Sequence, residues 1–164
     1  MTITIEPADT EALNRLAYLP DVLKKVAGRA VRQSIKVGKS TVKDKAKKRY
    51  TLKSSIMSRG TSSKVSGFSG VIKVSGGRNL IGEGIVKKSS HGVFAIIVRG
   101  QGGEINRAFT KKYQGGWWRR LGKPRFPIKR LKTVSAPGMA SHPTVSTPTI
   151  NKMAEILRAE LLKF

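Results

Sequence analysis

The chain has 164 residues, with 33 Lys and Arg against 9 Asp and Glu, a net charge of +24 and a pI of about 11.1. One domain is the default at this length, and 38% hydrophobic residues is too many for a disordered tail. Zero cysteines exclude disulfides, thiolate metal sites and Cys nucleophiles, while a field this positive calls for a polyanionic partner or neighbour.

Thr2 to Ile5 alternates apolar and polar and reads as a short strand. The start, Met1-Thr-Ile-Thr-Ile-Glu, lacks the basic and apolar regions of a signal peptide, and no apolar run reaches the roughly 20 residues of a membrane span. The expectation is a protein made in a reducing cytosol, with no membrane contact. Asp9 or Thr10 is placed to cap a brief helix that Pro20 ends, and Asp21 to open the principal one.

From Val22 to about Arg49 the periodicity is legible on both faces. Leu23, Ala27, Ala30, Val31, Gly38 and Val42 fall on one side, and Lys25, Arg29, Arg32, Lys36, Lys39, Lys43 and Lys47 fall within a narrow arc opposite. At about 1.5 Å per residue that cationic stripe runs roughly 30 Å or more, several phosphate spacings of a duplex. A solvated face would read similarly, but such faces usually mix Glu with Lys, because opposite charges at i,i+4 stabilise and like charges repel. This stripe contains no acid, so it is a candidate for facing nucleic acid. Lys45 to Arg49 is polar almost all round and is expected to fray before a second short helix from Tyr50.

Residues 59–77 are rich in Gly and Ser and read as a flexible segment entering a strand at Gly70, or as a plain hairpin loop. Gly82-Glu83-Gly84 separates two apolar pairs as a bend. Gly92 to Val98 is nearly continuously apolar and is the clearest central strand. Gly100 to Gly103 then turns the chain.

Ala108-Phe109 and Trp117 to Leu121 read as a hairpin around Gln114-Gly115-Gly116. Arg125-Phe126-Pro127-Ile128 carries a proline that a central ladder rejects, so it belongs on an edge or at a subunit contact. Ser141 to Pro148 reads as an extended loop. Thr147 with Pro148 at the first helical position then starts a last helix, whose Ile150, Met153, Ala154, Leu157, Leu161 and Phe164 form one apolar face for the core or a subunit seam. The sum is an α+β domain, a long N-terminal amphipathic helix and a C-terminal helix packed on a mostly antiparallel sheet of four to six strands.

The order Ala-Phe, glycine turn, bulky aromatic pair with Arg, Gly122-Lys-Pro-Arg-Phe-Pro-Ile128, a Ser/Pro/Met segment and a closing amphipathic helix resembles the minor tail protein Z family, the tail-completion proteins of lambda-type long-tailed bacteriophages. The likeness covers about the last sixty residues, with a similar order of elements upstream. It implies a structural virion protein at the head-proximal end of the tail tube, helping to join the tail to the neck. It further implies a ring, as a homo-hexamer, around the channel the genome traverses, with the tail terminator or tail tube and neck proteins as partners. Phe109, Trp117, Trp118, Arg119, Arg125, Pro127 and Ile128 are the candidate subunit interface, and the stripe is the candidate DNA-facing wall, reading no base sequence.

Signs of chemistry are sparse. Gly38-Lys39-Ser40 ends like a phosphate loop, but Gln33 stands where its first glycine belongs and the run lies inside helical periodicity. His91 and His142 are isolated, read as exposed loop residues, and make no metal site. Glu83 and Glu104 are expected to pair with Arg or Lys. No enzyme and no cofactor is expected. Trp117-Trp118 beside Arg119-Arg120 reads either as a stacking platform for single-stranded bases or as an interface anchor. A free-standing basic nucleic-acid-binding module is the alternative function. The aromatic ribonucleoprotein motif, the zinc finger and the basic zipper are all missing from the sequence.

Overall fold

The computed structural model describes residues 2–5, 21–110, 116–122 and 127–163. The brief helix expected before Pro20, the turn at Gln114-Gly115, and Arg125 and Phe164 lie outside them. The described elements are β1 (Thr2–Ile5), α1 (Asp21–Arg49), α2 (Ser54–Gly60), β2 (Thr61–Ser66), β3 (Ser69–Val74), β4 (Arg78–Leu80), a 3-10 turn (Ile81–Glu83), β5 (Ile85–Ser89), β6 (Gly92–Val98) and β7 (Gln101–Asn106). After these come β8 (Ala108–Thr110), β9 (Trp117–Arg120), β10 (Ile128–Arg130), β11 (Lys132–Ser135), α3 (Ala136–Ser141) and α4 (Pro143–Leu161).

The class is α+β, with a long N-terminal helix and a C-terminal helix as expected. The strands are distributed over four small antiparallel sheets, ordered β1-β3-β2, β5-β6-β7, β10-β9-β8 and β11-β4, where the sequence suggested one sheet of four to six strands. Glycines and short breaks end each strand early, and sheets this small are marginal alone. The β1-β3-β2 sheet docks on α1 through β2 and β3, and β11 contacts α3, whereas β5-β6-β7 is tied to the end of α1 and β8 leans on β6.

α1 and α4 form the spine. Val31, Ile35, Val42 and Ala46 of α1 share a core with Met139, Ala140, Val145 and Met153, and with Ile72 and Val74 of β3. The helices run antiparallel, since Ser34 meets Met153 and Arg49 meets His142. At the crossing α1 presents small residues. A Cβ on Gly38 would lie 2.3 Å from Met153 Sδ, and buried Ser34 Oγ donates to Met153 O at 2.7 Å. Gly38 is therefore a packing glycine inside a helix, which explains physically why it is followed by Lys-Ser without any phosphate loop.

α1 does not fray at Lys45 to Arg49. Asp21 in its first turn and Lys47, Lys48 and Arg49 in its last suit the helix dipole, and two of its C-terminal carbonyls are taken by Arg99, the residue after β6. Arg99 N donates to Arg49 O at 2.7 Å and Arg99 Nε to Lys47 O at 3.2 Å. Thr51 N donates to Ile97 O at 2.9 Å, so β6 is clamped to the helix end, and it lies centrally in its sheet as its apolar run suggested.

The Gly/Ser-rich run 59–77, expected as a flexible entry or a plain hairpin loop, folds as the hairpin β2-β3, turning at Gly67 with φ 54°. β3 is central between β1 and β2 because Gly70, Ile72 and Val74 face α1. The turn expected at Gly100 to Gly103 is tighter, and Gln101–Asn106 is strand β7 paired with β6. β4 and β5, read as neighbours across Gly82-Glu83-Gly84, join different sheets.

The expected loop Ser141 to Pro148 is helical. The N1 proline of α4 is Pro143, preceded by His142, and Pro148 lies inside the helix. The N-terminal proline pattern was met twice, and His142 is a less common lead-in than Thr147. α4 is also turned relative to the expected face. Val145, Thr149 and Met153 are buried and Leu157 packs beside the core, while Ala154 is exposed and Ile150 and Leu161 remain 49% and 46% exposed. Among the described residues no helix is long and apolar enough to cross a membrane.

Candidate nucleic-acid interface

Seven cations share the outer side of α1. Lys25, Arg29, Arg32, Lys36 and Lys47 are exposed, and Lys39 and Lys43 half-buried. The opposite side of the helix is committed to the core, so packing fixes the stripe's direction. Three ion pairs occur among the described residues, Lys24–Asp21, Lys152–Glu155 and Lys163–Glu160, and none involves the stripe. Seven like charges at i,i+3 and i,i+4 spacing repel by a few tenths of a kcal/mol per pair. At the C-terminal end Lys43 and Lys47 border a cleft of about 210 Å³ that Lys53, Tyr50 and Met57 help to line. Lys53, just before α2, extends the basic surface, a residue that helical periodicity could not include.

The sheet β8-β9-β10 carries the other candidate residues. Phe109 opposes Trp118, Trp118 opposes Arg130, and Ile128 opposes Arg120. Directly opposed residues share a face, so Phe109, Trp118, Arg120, Ile128 and Arg130 lie together. On that face Arg120 sits 5.7 Å from the Phe109 ring centroid and Arg130 5.7 Å from that of Trp118. Trp117 and Arg119 point to the other face, where Trp117 Cδ1 would lie 3.5 Å from a Cβ on Gly82. Both tryptophans are half-buried. β10, with Pro127 exposed just before it, is an edge strand, as the proline required.

The structure does not merge the two surfaces. α1 packs mainly on α4 and the β2-β3 hairpin, whereas β8-β9-β10 is reached through β6 and through Leu131, whose N–H donates to Trp117 O at 2.8 Å. Beside β8 a groove of about 460 Å³ is bordered by Arg107, Phe109, Arg120 and Gly122. Arg120 was read from the sequence only as part of the Trp117-Trp118-Arg119-Arg120 run, and a left-handed Arg107 leaves no sequence signal.

His142 is not a free loop residue. Arg49 Nη2 donates to His142 Nε2 at 2.9 Å, and because arginine only donates, the ring proton belongs on Nδ1, facing Thr144 Oγ1 at 3.0 Å. That tautomer makes the 3.3 Å approach of Thr144 N to Nδ1 a contact and not a hydrogen bond. Glu104, expected to pair with a cation, accepts from Ser89 Oγ, and neither it nor Glu83 forms an ion pair among the described residues. Among the described residues no group of three or more His, Cys, Asp or Glu could hold a metal ion. No family model, no curated protein and no solved structure matches the chain.

Proposed function

We propose that the chain is a non-enzymatic structural protein of a long-tailed phage virion. It completes the head-proximal end of the tail tube and helps join it to the neck as a ring around the DNA channel. The observation that carries this reading is the acid-free stripe Lys25 to Lys47, held outward along α1 with no anionic partner among the described residues. Such a wall attracts phosphates without reading bases, which suits a passage for any genome sequence. The likeness of residues 107–164 to tail-completion proteins supplies the setting. The β9-β10 edge, with Trp117, Trp118, Pro127 and Ile128, and the outward Ile150 and Leu161 of α4 supply apolar surface for seams between copies or with a terminator.

Two measurements test it. Native mass at high salt without nucleic acid should show a defined oligomer, with a hexamer expected. Duplex binding across a salt series should lose slope when Arg32, Lys36 and Lys39 are all changed to Gln, by about 2.7 in log K against log salt if each contacts one phosphate. An unchanged slope removes the channel-lining role. Tight duplex binding by a chain that stays monomeric supports the free-standing nucleic-acid-binding module instead.

A further inference from the structure

The groove beside β8 combines three features, and of its residues only Phe109 figures in the ring reading, as a candidate interface residue. The first is backbone conformation. Arg107, between β7 and β8, has φ 60° and is the one non-glycine residue in the left-handed region among the described residues. Its N–H donates to His91 O at 2.8 Å, which fixes the turn. Glycine would adopt that conformation without the Cβ penalty, so an arginine there is held at a cost, a pattern that gathers at binding sites. The second is charge. Arg107 and Arg120 both border the groove, and neither guanidinium has an ion pair among the described residues. The third is the Phe109 ring beneath Arg120, with Gly122 contributing no side chain to the wall.

We infer that the Arg107-Phe109-Arg120 groove holds one nucleotide of a single-stranded nucleic acid, phosphate on Arg107 and base stacked on the outer face of the Arg120 guanidinium. A guanidinium laid on an aromatic ring keeps its second face for a base and its edge N–H groups for an anion. A groove of about 460 Å³ is within the size range of small-ligand sites. An acidic peptide would use the two charges but leave the stacking face idle, so the observations favour the nucleotide. The site stands apart from the α1 stripe and would operate in a single copy, so it goes beyond the ring reading.

The test is fluorescence anisotropy on the full chain with a labelled short oligo-dT strand, a duplex of equal length and poly-glutamate as competitor, across a salt series. Arg107→Gly and Arg120→Gln should each weaken oligo-dT binding about tenfold. Arg107→Gly, which removes the phosphate contact, should also flatten the oligo-dT salt slope by about 0.7, and both variants should leave duplex binding unchanged. Arg107→Gly should unfold no earlier than the parent, because glycine relaxes the turn, and it decides the matter alone if Arg120→Gln does not fold. Oligo-dT binding by Arg107→Gly that matches the parent, or displacement of oligo-dT by poly-glutamate charge for charge, would overturn the inference. The Arg32, Lys36 and Lys39 triple change serves as the control: it should weaken duplex binding while Arg107→Gly does not.

Discussion

Two glycines of the same helix should answer substitution in opposite directions. A Cβ on Gly28 meets nothing closer than 3.8 Å, so Gly28→Ala should gain helix propensity and stabilise by about 0.5–1 kcal/mol. A Cβ on Gly38 would intrude to 2.6 Å from Met153 Cγ and 2.9 Å from Ile72 Cδ1, in a core where Ile72 is fully buried. Overpacking there costs about 1–3 kcal/mol, which outweighs the propensity gain, so Gly38→Ala should destabilise. Urea unfolding of both variants decides it, and equal effects would mean that α4 is not seated on Gly38. His142 is the second informative position. His142→Ala leaves the Arg49 guanidinium, whose Nε is already buried without an acceptor, short of its Nε2 partner. A loss of about 1–2 kcal/mol is expected, read as a lowered thermal midpoint.

The elements were legible in proportion to how much of their shape is set locally. α1 was readable over most of its length because its apolar and cationic residues both follow the helical period, although Leu23 is exposed and Lys45 to Arg49 stays helical where fraying was expected. Gly92 to Val98 was readable as a central strand from its apolar run, although Phe94 on it stays exposed. Pro148 misled the reading of α4, since a proline at the first helical position and one inside a helix look alike until packing decides. The face of α4 was misplaced for a related reason. Buried Thr149, its Oγ1 satisfied by Val145 O at 2.6 Å, is polar by type, while exposed Ile150 beside it is apolar. Sheet membership was least legible, because β4 pairs with β11 far along the chain, whereas β5 pairs with its neighbour β6 in a local hairpin. Within the candidate site the stripe was readable, whereas the shared face of Phe109, Arg120 and Arg130 required strand register. At this scale Ser34→Ala should cost about 1 kcal/mol in urea unfolding, since it removes a buried hydroxyl that ties the two long helices at 2.7 Å.

For the whole molecule, +24 charges and three exposed ion pairs among the described residues leave repulsion dominant. Raising salt from about 0.05 to 0.5 M should therefore raise the thermal midpoint by several degrees, about 2–4 °C for each kcal/mol of relieved repulsion. A midpoint that falls with salt would show that attractive pairs prevail. The attachment of β5-β6-β7 bears on how the fold opens. That sheet meets the spine chiefly through Tyr50, Thr51 and Arg99 at one helix end, and Phe94 and Ile85 on it stay exposed. Amide exchange should accordingly separate into two cooperative groups, residues 85–106 trading deuterium early and together while α1 and α4 hold their protons until global unfolding.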